Sequence, residues 1–352
     1  MLRAEYQKYT LHFKSPAGTS RGTYTRRDSW FISVYDTGAP SLRGIGECAP
    51  LPGLSPELER NFEKKLETLC RDIAHYDSWS EDDLQGYSSI KMGLETAAWD
   101  LKARGSKVFF DNAFTAGKRG IPINGLIWMG SAEFMRKQIR EKIREGYRCI
   151  KIKIGALDFE TELGLIRKIR RTHPPEEIEI RLDANGAFQP ETARSRLDAL
   201  AEWGIHSIEQ PIGAGQLEQL SVLCRESPIP IALDEELIGI NTLKNKENLI
   251  REVRPAYLVL KPSLHGGFKG AQEWIDLAAA SDTGWWVTSA LESNIGLNAI
   301  AQWTANLTNP LPHGLGTGRL FEDNFPSPLY LQGDELRWDV SGRFDLSNLY
   351  HG

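Results

Sequence analysis

The sequence predicts an α/β protein: a parallel β/α barrel preceded by an α+β domain. Three observations carry that expectation. From about Gly120 onward, short apolar stretches rich in β-formers alternate with amphipathic segments of helical period. Five ionisable residues (Lys153, Asp183, Glu209, Asp234 and Lys261) each end or follow one of these stretches, and the three acids stand 26 and 25 positions apart. That step is one strand plus one crossover helix. The chain before Gly120 lacks this rhythm and begins with alternating runs of antiparallel type.

Residues 2–13 and 22–36 alternate and carry Tyr, Thr, Phe, Ile and Val, so they predict two antiparallel strands. Between them KSPAGTSRGTYT, rich in Gly, Ser and Thr, predicts a mobile loop. GIGECAPLPGLSPE (44–57) predicts a second loop, and Ser55 before Pro56 and Glu57 predicts a helix start. Helices then run to about Gly105, the last within SSIKMGLETAAWDLKA. This first, α+β domain is expected over 1–118, with loops at about 14–29 and 50–55. The barrel is expected over 119–321. Its strands are IPINGLI (121–127), CIKIKIG (149–155), IEIRLDA (178–184), GIHSIEQ (204–210), IPIALDE (229–235), AYLVLKP (256–262), WWVTSAL (285–291) and LPHGLGT (311–317). Segments such as AEFMRKQIREKIREG and ETARSRLDALAEWG supply the covering helices. Residues 322–352 hold Pro326, Pro328 and the alternating ELRWDVSGRF, and are expected to return to the first domain as an added strand.

Composition restricts the function classes. Hydrophobic content of 41% and charged content of 25% are globular values. A net charge of −5 with dispersed Lys and Arg argues against a nucleic-acid partner. No apolar run approaches the ~18 residues of a membrane helix, and MLRAEYQKYT lacks the apolar core of a signal peptide. Cys48, Cys70, Cys149 and Cys224 are widely spaced, so they predict reduced thiols in a cytoplasmic protein rather than a disulfide or zinc framework.

The chemistry follows from strand ends. A parallel barrel delivers the end of every strand to one face, where barrel active sites lie. Asp183 (RLDANG), Glu209 (SIEQP) and Asp234 (ALDEE) therefore converge. A single acid at a strand end is commonly a helix cap or ion-pair partner, but three on successive ends fit that reading poorly. Oxygen-only ligands favour Mg²⁺, with Mn²⁺ next. Glu235 and Glu236 are candidates to compete with Asp234 for the metal, and Asn185 and Gln210 are either supporting donors or turn residues. On the second strand Lys151 and Lys153 point one way and Ile150, Ile152 and Ile154 the other. A sheet covered on its outer face puts that lysine face in the barrel interior. Close like charge is expected to lower one of the two lysines, leaving it able to act as a base. Lys261 is read either as a snorkelling strand-end lysine or as part of the site. Ser289 and the HGLGTG segment (Gly314, Gly316 and Gly318, with Thr317 between the last two) offer hydroxyl and backbone donors to a substrate anion, or the glycines simply form turns.

This arrangement resembles the enolase superfamily, and within it the muconate-lactonizing subgroup. The residues that carry the resemblance are KxK on the second strand, acids on the third to fifth, and Lys on the sixth. GECAPLPGLS, GLETAAWDL, PINGLIWMG, KIKIG, TSALESNIG and HGLGTG support it. The resemblance implies a modified TIM barrel, (β/α)7β, with an α+β N-terminal capping domain. It implies Lys153 as acid/base, Lys151 as its tuning partner, Asp183, Glu209 and Asp234 as Mg²⁺ ligands, and Lys261 as the opposite-face stabiliser of an enolate. Enzymes of this kind are a standing example of a Lys base working with Mg²⁺ at an ene-diolate. The pieces are most similar to the dehydratases that form 2-succinylbenzoate in menaquinone biosynthesis. They imply a small-molecule carboxylate substrate and leave the oligomeric state open. N-acylamino acid racemase, dipeptide epimerase and muconate cycloisomerase activities share the same constellation. GLGTG lacks the Asp-x-Asp with which epimerases hold a substrate ammonium.

Overall fold

The computed structural model of the chain describes residues 1–19, 22–78 and 84–350. β1 (Leu2–Thr19), β2 (Gly22–Asp36) and β3 (Arg43–Cys48) form an antiparallel sheet in that order. Trp30, Ile32 and Val34 of β2 face Leu66 and Leu69 of α1 (Phe62–Arg71) and Ile90 and Leu94 of α2 (Ser88–Lys102). The alternating pattern of β2 thus buries one face on two helices. Ser55–Pro56 does start a helix, though only the 3-10 turn Pro56–Glu59.

The loop expected over 14–29 is instead strand in its described residues. β1 and β2 stay paired through Ala17–Tyr24 and Gly18–Thr23 to Thr19–Gly22; positions 20 and 21 lie outside the described residues. Small polar residues suggested a loop, but cross-strand pairing satisfies their backbone groups and overrides that preference. A register shift between His12 and Ala17 re-aims the hairpin end. There Gly18 bridges Met129. A Cβ on Gly18 would lie 2.6 Å from the Met129 carbonyl oxygen, so only glycine permits the approach.

The barrel strands appear where the alternation placed them, mostly shorter. β4 (Ile121–Pro122) is followed by β5 (Gly125–Ile127), β6 (Cys149–Lys153), β7 (Glu179–Asp183), β8 (Ser207–Glu209), β9 (Ile231–Leu233), β10 (Tyr257–Leu260) and β11 (Gly284–Val287). β5 to β11 form one parallel sheet in sequence order. The helices between them are α3 (Ala132–Arg144), α4 (Phe159–Arg170), α5 (Pro190–Ala201), α6 (Leu217–Glu226), α7 (Leu243–Val253) and α8 (Gly267–Ala280), and α9 (Asn294–Thr304) follows β11. Ile150, Ile152 and Ile154 pack outward with Leu163, Ile166 and Ile169 of α4, which leaves Lys151 and Lys153 facing in.

Two expectations are corrected. The predicted eighth strand, 311–317, makes only single bridges, His313 to Ile123 and Gly314 to Thr288. Pro310 and Pro312 carry no N–H, and the glycines hold an extended strand weakly. The bridges still close the sheet: His313 N donates to the Pro122 carbonyl at 2.8 Å and Gly314 N to the Val287 carbonyl at 2.8 Å. Gly314 is needed there, because its Cβ would sit 2.6 Å from Thr288 Oγ1. Second, the C-terminal segment forms the hairpin β12 (Leu329–Gln332) and β13 (Glu335–Trp338), which pairs with β4 rather than with the capping sheet. The first predicted barrel strand is split by this, since Ile121–Pro122 joins the hairpin and Gly125–Ile127 the barrel. The segment before the hairpin does touch the capping domain: Phe321 bridges Phe13, and Phe325 meets Phe31 edge-on at 5.3 Å.

Candidate active site

The parallel ladders set the site. Lys153 stands opposite Asp183 across β6 and β7, and Asp183 opposite Glu209 across β7 and β8. Asp234 directly follows β9, and Lys261 directly follows β10. All five side chains and Lys151 are buried. Lys151 Nζ donates to Glu209 Oε2 at 2.5 Å and lies 3.0 Å from Asp183 Oδ2. Lys153 Nζ donates to Asp183 Oδ2 and to Asn185 Oδ1, both at 2.8 Å. Lys261 Nζ donates to Asp234 Oδ2. The snorkelling reading of Lys261 therefore fails: the side chain turns inward to a buried partner.

Of the two lysines of β6, Lys151 is not the one that a like charge lowers. Burial pulls its ammonium down, but the carboxylates of Asp183, Glu209 and Asp234 outweigh that and hold it well above the usual lysine range. Asp183 is buried too, yet Lys151 and Lys153 carry its carboxyl well below the ordinary range. Asp234 is likewise lowered against its burial, chiefly by Lys261. Glu209 goes up, through burial and the charge of Asp183. Opposite charges within hydrogen-bond reach dominate at Lys151 and Lys261.

Asn185 and Gln210 are turn residues whose side chains and backbone also brace the acidic strand ends. Each has left-handed backbone, with φ 44° and 41°. Asn185 N donates to Asp183 Oδ1 at 3.0 Å, and its Nδ2 donates to Glu235 Oε1 at 3.1 Å. Gln210 Oε1 accepts from Asp234 N at 3.3 Å and Glu236 N at 3.2 Å, pinning the acidic turn. Glu236 is spent on Gly215 N and Gln210, so it points away from the lysines.

Among the described residues no set of three or more His, Cys, Asp or Glu is drawn close enough to hold an ion as it stands. The chemistry of the donors fits one nevertheless. Glu209 Oε1 and Asp234 Oδ1 are buried without any hydrogen-bond partner. A buried carboxylate oxygen left unpaired is costly, and a hard cation satisfies it.

A cavity of about 290 Å³ opens above this group. Lys151, Lys153, Asp183, Asn185 and Lys261 form its floor, and Ser289, Gly316 and Thr317 line one wall. Ser289 differs from expectation. Its hydroxyl donates to Glu292 Oε2 at 2.5 Å and accepts from Leu291 N at 3.0 Å, so it has no proton left for a substrate anion. Thr317 Oγ1 is buried without a partner and remains available to a ligand. Sequence reasoning missed Glu292, Trp128 and Asn124. Asn124, Leu126 and Trp128 alternate along PINGLIW, a signal for a shared inward face. Tyr24, Leu51 and Leu54 bring segments 14–29 and 50–55 to the cavity rim.

Fold and site together define a barrel built for acid–base chemistry beside buried carboxylates. Residues 134–337 match the family described as enolase C-terminal domain-like, and the chain belongs to the enolase superfamily. Within it, the chain is 42% identical to the o-succinylbenzoate synthase of Desulfotalea psychrophila, over 95% of this chain and 98% of that one. The crystal structure of MenC from Desulfotalea psychrophila superposes with a TM-score of 0.84 at 39% identity, covering 96% of this chain and 99% of that chain. The L-Ala-D/L-Glu epimerase of Bacillus subtilis, at 22% identity and TM-score 0.80 over 98% of this chain and 97% of that one, shares the fold.

Proposed function

We propose that the chain is an o-succinylbenzoate synthase, a hydro-lyase of menaquinone biosynthesis. The reaction is the syn dehydration of 2-succinyl-6-hydroxy-2,4-cyclohexadiene-1-carboxylate to 2-succinylbenzoate. The observation that carries this reading is one cavity with Lys153 at the end of β6, Lys261 after β10, and carboxylates between them. It is supported by the 42% identity to the Desulfotalea enzyme over nearly the whole chain.

In this reading Lys153 takes the proton α to the ring carboxylate, and Lys261 sets a fixed positive charge against the ene-diolate that develops. Lys153, now an ammonium, returns the proton to the departing β-hydroxyl on the same face. C–H and C–O bonds break, one C=C bond forms, water leaves, and the ring becomes aromatic. Lys151, held charged by its carboxylates, orders Asp183 and Glu209. Asp183, Glu209 and Asp234 would hold Mg²⁺, with Mn²⁺ as substitute. Bound there, the ion supplies Lewis-acid stabilisation of charge on the substrate carboxylate, worth about several kcal/mol.

Dipeptide epimerisation is disfavoured by the wall formed from Gly314, Gly316 and Thr317, which offers no carboxylate to an ammonium. The test is an assay of purified protein with Mg²⁺ and the cyclohexadiene acid, followed by the ultraviolet change on aromatisation. No dehydration, with racemisation of N-succinylamino acids or cycloisomerisation of muconate in its place, overturns the assignment within the superfamily.

A further inference from the structure

We infer that Trp128 selects a planar conjugated ring in this cavity, and that Gln138 is the positioning residue that holds it there. The inference rests on the proposed dehydration, since that reaction ends in an aromatic ring.

Trp128 lies just past β5, on the inward side with Asn124 and Leu126. Its half-buried indole lines the cavity, and Lys153 Nζ is 5.9 Å from the ring centroid. That is cation–π range. A flat ring laid against the indole is therefore delivered beside the proposed base. Leu51, Leu54 and Leu291 supply further apolar lining.

The backbone around Trp128 needs a special support. Backbone pairing to the 311–317 segment reaches Asn124, whose N–H donates to the His313 carbonyl at 2.9 Å. At Trp128 a side chain of α3 replaces a neighbouring strand. Gln138 Oε1 accepts from Trp128 N at 3.0 Å, and Gln138 Nε2 donates to the Trp128 carbonyl at 3.0 Å. Only a carboxamide can serve both groups with one side chain of that length. The next residue, Met129, is bridged by Gly18 at the tip of the capping hairpin. Trp128 is thus fixed between a helix and the lid, which suits a residue that must present a flat face in one orientation. Stacked aromatic pairs gain beyond simple area burial, so a saturated ring of similar size binds this shelf less well.

Calorimetric titration tests this with two ligands in Mg²⁺ buffer: 2-succinylbenzoate and its saturated cyclohexane analogue. The parent is expected to prefer the aromatic acid. Trp128→Leu and Gln138→Met should each lose about three- to tenfold in affinity for the aromatic acid, with the analogue within about twofold of its parent value. Trp128→Phe, which keeps a π face, should restore most of the preference. Should the leucine variant fail to fold, Trp128→Met fills similar space without a π face and takes its place. Equal weakening of both ligands, or no change in either, overturns the role of Trp128. A Gln138→Met protein that binds like the parent removes Gln138 from the device. A parent that prefers the aromatic acid but does not dehydrate overturns the functional reading and leaves the ring shelf standing. A parent that binds neither acid overturns both.

Discussion

Lys153 and Asp183 are direct partners across the β6–β7 ladder, and the lysine ammonium donates to Asp183 Oδ2 at 2.8 Å. One strand register therefore fixes the proposed base against one proposed metal ligand. A one-residue slip of either strand would turn its own side chain out of the barrel.

Lys153→Ala is expected to fold, because its stem lies in the cavity floor rather than in the packed shell of helices. Its turnover should fall by at least about 10²-fold, the low end for general acid–base catalysis. Near-normal turnover in a protein with parental circular dichroism would remove Lys153 from the mechanism.

Asp183→Asn, Glu209→Gln and Asp234→Asn should each weaken Mg²⁺ binding by at least about tenfold in calorimetry. Asp183→Asn should also lower the melting temperature most of the three, since its carboxylate partners two buried lysines. Parental Mg²⁺ affinity in two of the three variants would show the ligand set to be wrong.

Under one set of conditions, kcat/KM should rank the cyclohexadiene acid first and an N-succinylamino acid second. An Ala-Glu dipeptide should be near background. Gly314, Gly316 and Thr317 offer no carboxylate to a substrate ammonium placed against their wall of the cavity. Efficient epimerisation of the dipeptide without dehydration would refute the ranking while leaving the fold intact.

Glu57 gives a pH prediction outside the cavity. Burial pushes its carboxyl from an ordinary 4.5 up to about 8, against the hydrogen bonds from Ser89 and Ile90. Between those values the folded chain holds a proton that the unfolded chain releases. Its contribution to stability is therefore complete below about pH 4.5 and is lost as pH rises through about 8. Glu57→Gln keeps an acceptor for Ser89 N but cannot ionise. The two proteins should melt alike at pH 5, and the variant should melt higher by about 3 °C or more at pH 8.5. A variant with a parental melting temperature at both pH values would show that Glu57 does not titrate in this window.

The sequence by itself determined the strand periods, and with them the face on which Lys151, Lys153, Asp183, Glu209, Asp234 and Lys261 meet. Alternation is a local property of the chain, and a parallel barrel maps it onto geometry with little freedom. Tertiary structure decided the rest, because those features depend on partners distant in sequence. Residues 14–19 and 22–29 form strand rather than loop because each half of the hairpin satisfies the other's backbone. The C-terminal hairpin chose Ile121–Pro122 over the capping sheet. Ser289 donates to Glu292, whose other carboxylate oxygen is held by Ser263, 29 residues before it. One of the two β6 lysines was expected to be lowered by a like charge; Lys151 is raised, because three carboxylates from other strands surround it. Trp128 acquired its place from Gln138, ten residues along the chain, and from the tip of a hairpin more than a hundred residues before it. Pairing energies across such separations are set by what the fold brings into contact, and a single sequence records them only as residues of the right type.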